Sequence, residues 1–327
     1  METEITEIKM RVKKSETGPF KEEGAIKMEG LPVLITGVGG TAGRSAVKYF
    51  IKKGFTVIGT DIRDIEAPVD SFYKVPAANE RSFPTFLIEI IKKERPFLLI
   101  PTVTEELHTI SRLKKVIEAY GCIVAVASPD AIDIANDKLK TVIIMAGNGI
   151  SVPVSFDDMT PKEIIIKTLN FPIISKPRVG RSGRGVTLYR NPEELLRERK
   201  TGLIFQEFIP GEAFGINMFI DKNGNLWSDV VLKKTSLMDR LTENALEVER
   251  VEREDLEEFG KKAAQILNLT GPIDMDVRLR EDGTPVLLEI KSRLGVNVLS
   301  AIEVLDSLLI ASTQEELSVT NFYDAAN

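Results

Sequence analysis

Short apolar runs alternate with helical patterns in the first third of the chain. Between the runs, apolar residues recur with helical spacing in GRSAVKYFIKKG, FPTFLIEIIKKE and ELHTISRLKKVIEAYG. Such an alternation of strands and helices predicts a parallel sheet covered by helices, a Rossmann-like α/β domain over residues 31–129. The four predicted strands are PVLIT (32–36), TVIGT (56–60), FLLIP (97–101) and CIVAVA (122–127).

The pattern changes after Ser128, where SPDAIDIANDKLKTVIIMAGNGI predicts a linker rich in helix. Farther on, hairpins dominate, with turns at the glycine-rich RVGRSGRGVTLY, at Asn223–Gly224 and at Asp282–Gly283. LIFQEFI predicts a strand and EREDLEEFGKKAAQILN an amphipathic helix. The boundaries predicted from these changes are a flexible leader (1–30), the first domain (31–129), a two-lobed α+β domain (130–312, with a small lobe at about 140–205 and a large lobe at about 206–312) and a loose polar tail (313–327).

Composition narrows the range of functions. The 327 residues are 43% hydrophobic and 28% charged, and the net charge of −6 argues against a nucleic-acid partner. The apolar runs are far too short for a membrane span, which needs about 20 residues. The first 30 residues lack the apolar core of a secretory signal, so the expected location is cytoplasmic, without a membrane partner.

The single cysteine and the single histidine exclude several kinds of site. Cys122 cannot form an internal disulfide, and its apolar surroundings favour a buried residue over a nucleophile. His108 alone cannot build a multi-histidine or Cys–His metal site. A solvated or locally bonded His108 is favoured over a catalytic base.

A glycine-rich turn follows the first predicted strand. The spacing Gly37-x-Gly39-x-x-Ala42 fits a dinucleotide-binding fingerprint, and Asp61 ends the next strand where it could bind a ribose. The alternative is that the glycines only form a strand–helix corner. The chain offers no obvious hydride-transfer site, so the corner is favoured over NAD binding.

Two stretches in the middle of the chain could bind a nucleotide. Lys176 lies on a predicted strand, four residues before the loop Gly180–Gly185, whose backbone N–H groups could cover phosphates. A glycine hairpin with an incidental lysine is the alternative. In QEFIPGE, the strand end at Glu207 and Ile209 could contact an adenine edge and Glu212 a ribose, although Pro-Gly-Glu is also an ordinary turn.

The hairpin from Ile273 to Arg293 carries opposed carboxylates. Pairing Arg280 with Pro285 sets Asp276 opposite Glu289 and Asp274 opposite Lys291. The same register assigns Val286, Leu288 and Ile290 to the core. Two facing carboxylates repel unless a cation lies between them, which favours a metal site; an ion pair with Arg278 or Lys291 is the alternative. Arg293, just beyond the strand, could stabilise negative charge in a transition state.

The order of these pieces resembles the ATP-grasp superfamily, most closely its carbamoyl-phosphate-synthase-like and carboxylate–amine ligase branches. The resemblance covers residues 130 to 305, and the first domain resembles the pre-ATP-grasp domain that precedes it. In that family ATP activates an acid as an acyl phosphate, which an amine or ammonia attacks. The resemblance therefore implies a ligase with ATP and Mg²⁺ as cofactors and small-molecule carboxylate and amine substrates.

Residue roles follow from the same resemblance. It implies catalytic roles for Arg293 and Lys176 and substrate contacts for Glu105, Glu106, Lys234, Arg240 and Lys291. It implies metal ligation by Asp276 and Glu289. In EIKSR, Lys291 stands where the family's Glu-x-Asn-x-Arg run has a metal-binding asparagine. The implied ATP-binding residues are Lys138, Lys176, Ser182, Gly183, Arg184, Gly185, Glu207, Ile209 and Glu212.

Four functions remain open at this point. The first is the ATP-dependent carboxylate–amine ligase, with an amino acid among its substrates. The second is phosphorylation of bicarbonate or carbamate on the same fold. The third, motivated by Lys291, is a nucleotide-binding protein without catalysis, and the fourth is an NAD-dependent oxidoreductase. A homodimer is left open.

Overall fold

The computed structural model describes residues 30–180, 183–237 and 245–325, with side chains up to residue 314. The predicted leader lies outside this range except for Gly30. Within the described residues, none of the helices combines the length and the apolar character that crossing a membrane requires.

The first domain is the predicted parallel sheet with helices on its faces. Its strands lie in the order β3-β2-β1-β4-β5. The strand β3 was not predicted, because SFYK is a short, half-buried edge strand without a continuous apolar run. The elements are β1 (Pro32–Thr36), α1 (Thr41–Lys52), β2 (Thr56–Asp61), β3 (Ser71–Lys74), α2 (Phe83–Glu94), β4 (Leu98–Ile100), α3 (Thr104–Glu118) and β5 (Ile123–Val124).

Two short helices form the predicted linker, α4 (Pro129–Ala135) and α5 (Lys138–Gly147). Ser128 caps α4, and the Asp137 carboxylate caps α5 by accepting hydrogen bonds from the backbone N–H groups of Leu139 and Lys140. These caps satisfy helix-end donors that have no partner within the helix. The cap at Asp137 fixes where α5 begins and therefore where the Lys138 side chain emerges.

The small lobe is an antiparallel sheet in the order β6-β9-β7-β8. Its own core includes Ile165, Ile173 and Phe205. The hairpin predicted around the glycine-rich stretch is β7 and β8. The elements are β6 (Ser155–Asp157), α6 (Lys162–Thr168), β7 (Ile173–Pro177), β8 (Thr187–Tyr189), α7 (Pro192–Leu196) and β9 (Leu203–Glu207).

The large lobe contains a second antiparallel sheet in the order β12-β11-β10-β13-β14. The stretch TSLMDRLTENALEVER extends β11 and forms β12 on either side of the undescribed residues 238–244. Its charged, alternating residues are typical of an exposed edge strand. The elements are β10 (Ala213–Ile220), β11 (Leu226–Leu237), β12 (Ala245–Val251), α8 (Glu254–Ile266), β13 (Gly271–Leu279) and β14 (Pro285–Lys291).

The β13–β14 hairpin contains a bulge that the predicted register lacked. Leu279, not Arg280, pairs with Pro285, and the register shifts by one residue between Asp276 and Val277. Beyond the shift, Asp276 lies opposite Glu289 as predicted. Leu287 takes the buried position expected of Leu288, which instead lines a cleft. Because of this one-residue bulge, Asp276 faces Glu289 even though Pro285 pairs with Leu279 rather than with Arg280.

The predicted loose tail is wrong, because a helix continues through most of it. A short 3₁₀ turn (Val298–Ser300) leads into α9 (Ile302–Ala325). Val304, Leu305 and Leu308 are buried between α1 and the large lobe. This apolar anchor extends a helix into a segment whose composition alone favours solvent exposure.

The first domain and the large lobe share their hydrophobic cores. One cluster joins Leu34 and Leu99 of the first domain to Ile216 and Met275 of the large lobe. A second cluster joins Phe50 to residues of β10, β11 and α9. The small lobe has its own separate cluster. The parallel sheet and the large-lobe sheet therefore share their hydrophobic cores, whereas the small-lobe sheet packs on a core of its own.

The glycine-rich turn is explained by close packing. A Cβ atom added at Gly43 would lie 2.2 Å from the Gly37 carbonyl oxygen, and Gly37 has a positive φ of 62°. The Asp61 carboxylate accepts hydrogen bonds from the Gly39 N–H at 2.9 Å and from Arg63. Asp61, considered above for a ribose, is thus engaged within the turn. These contacts favour the strand–helix corner over NAD binding.

We predict that Gly43→Ala destabilises the protein by about 1–3 kcal/mol, because the added methyl group would overlap backbone that cannot move without shifting β1. Urea denaturation measures this difference in the free energy of unfolding.

The matched control is Gly147→Ala at the end of α5, where an added Cβ meets no atom within 4 Å. It should leave the stability unchanged or raise it by up to about 1 kcal/mol, since alanine favours helix over glycine. Equal effects of the two substitutions would contradict the packing explanation.

Candidate functional site

A cleft of about 1160 Å³, counting space open to solvent, lies between the small and large lobes. Among the described residues that line it, cationic side chains outnumber carboxylates by seven to four. A cleft with this excess attracts a polyanion. The cations are Lys138, Lys176, Arg184, Lys234, Arg278, Lys291 and Arg293, and the carboxylates are Glu207, Asp274, Asp276 and Glu289.

Lys291 lies among three carboxylates on the cleft face of the large sheet. Its Nζ atom is 2.5 Å from Asp276 Oδ2, 3.1 Å from Asp274 Oδ2 and 3.8 Å from Glu289 Oε2. The pairings of Asp276 with Glu289 and of Asp274 with Lys291 bring these groups onto one face. The ion pair kept as an alternative in the sequence analysis is therefore present, and it engages both aspartates.

Lys234 supplies a second cation to Asp276 from two strands away. Its Nζ atom donates to Asp276 Oδ1 at 2.6 Å, and its side chain is only 4% exposed. Strand β10 separates β11 from β13, and Gly215 on β10 is paired with Asp276. Lys234 crosses β10 over Gly215, and its Cε atom lies 3.8 Å from where a Cβ would be, an ordinary van der Waals distance.

Lys138 neutralises the third carboxylate and connects it to the glycine loop. Its Nζ atom lies 3.0 Å from Glu289 Oε1 and donates to the Gly180 carbonyl oxygen at 3.0 Å. Asp137, which caps the same helix, binds the Arg178 guanidinium at 2.7 Å. The start of α5 is thereby fixed to the end of β7.

These charges shift each other's pKa values. Burial disfavours ionisation of Asp276, but the ammonium groups of Lys234 and Lys291 outweigh it and hold the pKa of Asp276 below its ordinary value of 3.8. Burial likewise opposes ionisation of Glu289, yet Lys291 and Lys138 lower its pKa. Lys291 is half-buried, and the three carboxylates raise its pKa above the ordinary 10.5. Asp276, Glu289 and Lys291 are therefore charged at neutral pH.

The magnesium site expected at Asp276 and Glu289 does not fit this arrangement. The two side chains meet as predicted, but both oxygens of Asp276 and Oε1 of Glu289 already contact ammonium groups. Magnesium requires a near-octahedral shell of oxygens at about 2.0–2.1 Å. In the described part of the chain, no group of three or more His, Cys, Asp or Glu side chains could hold a metal ion.

Arg293 connects the cleft to the first domain. Its Nε atom donates to Thr104 Oγ1 at 2.9 Å, and Thr104 begins helix α3. Glu105 and Glu106, which the resemblance implied as substrate contacts, lie in the first turn of that helix. Glu106 is buried and Glu105 exposed, and neither lines the cleft.

The strand end at Glu207 and Ile209 lines the cleft as predicted. The Glu207 carboxylate binds the Arg280 guanidinium and accepts a hydrogen bond from the Val154 N–H at 3.2 Å. The Ile209 carbonyl accepts from Arg278 at 3.0 Å. These contacts fix the course of the strand end between the two lobes.

Glu212, considered for ribose binding, does not line the cleft. Its side chain is 55% exposed and forms an ion pair with Lys233 at 2.5 Å. Lys176, Gly183 and Arg184 do line the cleft, and Gly185 follows them with a positive φ of 76°. Ser182 and Arg240 lie outside the described residues.

The single cysteine and the single histidine are placed as the sequence analysis favoured: the cysteine is buried and the histidine is locally bonded. Cys122 is fully buried. His108 has local partners, with Nε2 3.4 Å from Asp133 Oδ1 and a hydrogen bond from Arg112.

Sequence reasoning missed two features of the site. Asn217 lines the cleft on β10, and it is the one polar side chain in the apolar run AFGINMFI. Lys234 was a candidate only for substrate contact. Alternation along VVLKK places Lys234 on the face opposite Lys233, but it cannot indicate a partner two strands away.

Residues 135–296 match the family model described as an ATP-grasp domain. This segment is an ATP-grasp domain. Its boundaries include both antiparallel sheets and every lysine and carboxylate that lines the cleft. The sequence has no match among the curated proteins that were compared.

Solved structures share the fold at low sequence identity. An L-amino acid ligase from Bacillus licheniformis has a TM-score of 0.65 at 17% identity over 84% of this chain and 70% of that one. An N5-carboxyaminoimidazole synthetase from Staphylococcus aureus complexed with ADP has a TM-score of 0.70 at 17% identity over 87% and 78%. A biotin carboxylase–beta-gamma-ATP complex from Campylobacter jejuni has a TM-score of 0.67 at 16% identity over 87% of this chain and 71% of that one.

These matches confirm the predicted superfamily and the fold class. The ATP-grasp domain follows a Rossmann-like parallel domain, as the order of the motifs indicated. The roles assigned to individual residues remain predictions.

We predict that Asp276→Asn lowers the free energy of unfolding at pH 7 by about 3–5 kcal/mol, because it leaves buried ammonium groups short of a counter-charge. Urea denaturation measures the loss. The pKa of Asp276 is depressed in the folded protein, so its contribution is complete above the unfolded pKa, ordinarily 3.8. The difference between the two proteins should therefore shrink as the pH falls below that value.

The control is Glu212→Gln, which makes the same chemical change in an exposed ion pair. Its effect should stay within about 1 kcal/mol. If both substitutions cost the same, or if the effect of Asp276→Asn grew as the pH fell, the buried network would not have the assigned role.

Proposed function

We propose that the protein is an ATP-dependent carboxylate–amine ligase that binds ATP in the cleft between the two lobes. The observation that carries the proposal is the cationic cleft of the ATP-grasp domain, with lysines from α5, β7, β11 and β14 among its walls. Its surplus of positive side chains matches the charge of a triphosphate.

The chemistry proceeds in two balanced steps. A carboxylate oxygen of the acid attacks the γ-phosphorus of ATP, and the bond to the bridging oxygen breaks as ADP leaves. The amine nitrogen then attacks the acyl carbon, expels phosphate and loses a proton. The first step transfers a phosphoryl group, so the protein mainly has to position the reactants and stabilise negative charge.

The cleft residues divide between these tasks. Lys176 and Arg184, on and beside the small-lobe hairpin, contact the phosphates. The strand end at Glu207 and Ile209 supports the adenine. Arg293, held by Thr104, stabilises the charge that develops on the transferred phosphoryl group. Small-molecule carboxylate and amine substrates are consistent with a similar structure named as an L-amino acid ligase.

A second candidate is nucleotide binding without turnover. The observation favouring it is the engagement of Asp276 by Lys234 and Lys291, where a ligase of this family would be expected to hold a metal. ADP release separates the two functions. The assay offers ATP, with and without Mg²⁺, together with amino acids and other carboxylates paired with ammonia or amines.

Release of ADP that requires one acid and one amine supports the ligase. ATP binding without ADP release across the whole panel supports the second candidate instead. ADP release driven by bicarbonate or carbamate alone supports the phosphorylation reaction that the sequence left open.

We predict that Lys176→Ala weakens ATP binding by on the order of 1.5–3 kcal/mol, because it removes a charged donor from the phosphate site. Isothermal titration calorimetry measures the change. The control is Lys167→Ala on α6, an exposed lysine of the same lobe that does not line the cleft. Unchanged ATP affinity in the Lys176 variant would remove this residue from the phosphate site.

A further inference from the structure

Two ammonium groups and two aspartates form a chain of ion pairs on the large sheet. Asp276 accepts hydrogen bonds from Lys234 on one oxygen and from Lys291 on the other. Asp274 accepts from Lys291. The Lys234 and Asp276 side chains are only 4% and 5% exposed, so neither exchanges these contacts for water.

Glu289 belongs to the same network but is neutralised from the other side. Its Oε1 atom contacts Lys138, and its Oε2 atom is 3.8 Å from the Lys291 ammonium. The carboxylates therefore meet ammonium hydrogens in the directions from which a divalent ion would approach. A metal ion entering between Asp276 and Glu289 would have to displace Lys291.

The backbone is shaped to hold this network. Lys234 reaches Asp276 across Gly215 of β10. Gly295 brings the loop after Arg293 against Asp274, since an added Cβ there would lie 2.7 Å from Asp274 Oδ1. Gly295 therefore leaves room for the Asp274 carboxylate, which a larger residue would disturb. The lysine contacts are therefore built into the sheet rather than made by side chains in solvent.

We propose that Lys234 and Lys291 act as built-in cations at Asp274, Asp276 and Glu289, so that the cleft binds a nucleoside triphosphate without a divalent metal ion. The proposal rests on the proposed binding of ATP and concerns how its charge is neutralised. The ammonium groups hold the carboxylates in place and keep them from repelling the phosphates, as a metal ion otherwise would.

The direct test is ATP binding by the full chain with EDTA and with excess Mg²⁺, measured by calorimetry. The two dissociation constants should agree within about threefold, because the built-in cations already supply the charge. Binding at least about tenfold tighter with Mg²⁺ would overturn the inference and leave ATP binding intact. No binding in either condition would overturn the proposed function and this inference together.

Variants test which side chains are responsible. Lys291→Gln should weaken ATP binding in EDTA by about tenfold or more, and Mg²⁺ should restore most of it, because the freed carboxylates can then hold the metal. Lys291→Arg, which keeps the charge, should stay metal-independent. Lys233→Gln, on the opposite face of β11 in an exposed ion pair, is the matched control and should match the wild type.

Thermal unfolding with and without ATP checks that each variant is folded before its affinity is compared. If Lys291→Gln does not fold, Lys291→Arg and the wild-type comparison still decide the matter. A Lys291→Gln protein that is folded and binds ATP equally well in EDTA and in Mg²⁺, with wild-type affinity, would contradict the role of Lys291.

Discussion

The neutralisation of three carboxylates by lysines from three different elements determines the arrangement of the cleft. Asp274, Asp276 and Glu289 lie on one face of the large sheet and would repel one another strongly in a buried setting. Lys138 comes from α5, Lys234 from β11 and Lys291 from β14, so the charge balance requires the linker and both sides of the sheet to be in place together. The ion pairs thus lie along the large-sheet side of the cleft and also connect it, through Lys138, to the small-lobe side.

Below this polar layer, apolar packing joins the first domain to the large lobe, while the small lobe keeps a core of its own. Polar contacts between the described residues cross between these bodies at the cleft. Lys138 links Glu289 of the large sheet to Gly180 beside the small sheet, and Arg293 links the cleft to Thr104 of the first domain. A nucleotide in the cleft would therefore contact residues whose positions depend on all three bodies.

Periodicity predicted the element types well because strands and helices with an apolar face carry it locally. Asp276 was placed opposite Glu289 correctly, although the bulge at Leu288 was missed, since a bulge depends on contacts across the hairpin rather than on spacing. Lys234 shows the limit at the site: its partner lies two strands away, across a glycine. Strand β12 was missed because it forms by pairing with β11, which composition does not record.

The shared core has a consequence for how this chain can be divided. The segment that carries the family signature, residues 135–296, ends before α9 and begins after the parallel sheet. Cut out alone, it would lose Thr104 from Arg293 and expose the apolar faces that Leu34, Phe50 and Leu305 now cover. The segment that matches the family model is thus smaller than the part of the chain that shares these hydrophobic cores. A chimaera that exchanges the first domain must reproduce its apolar surface as well as its loops.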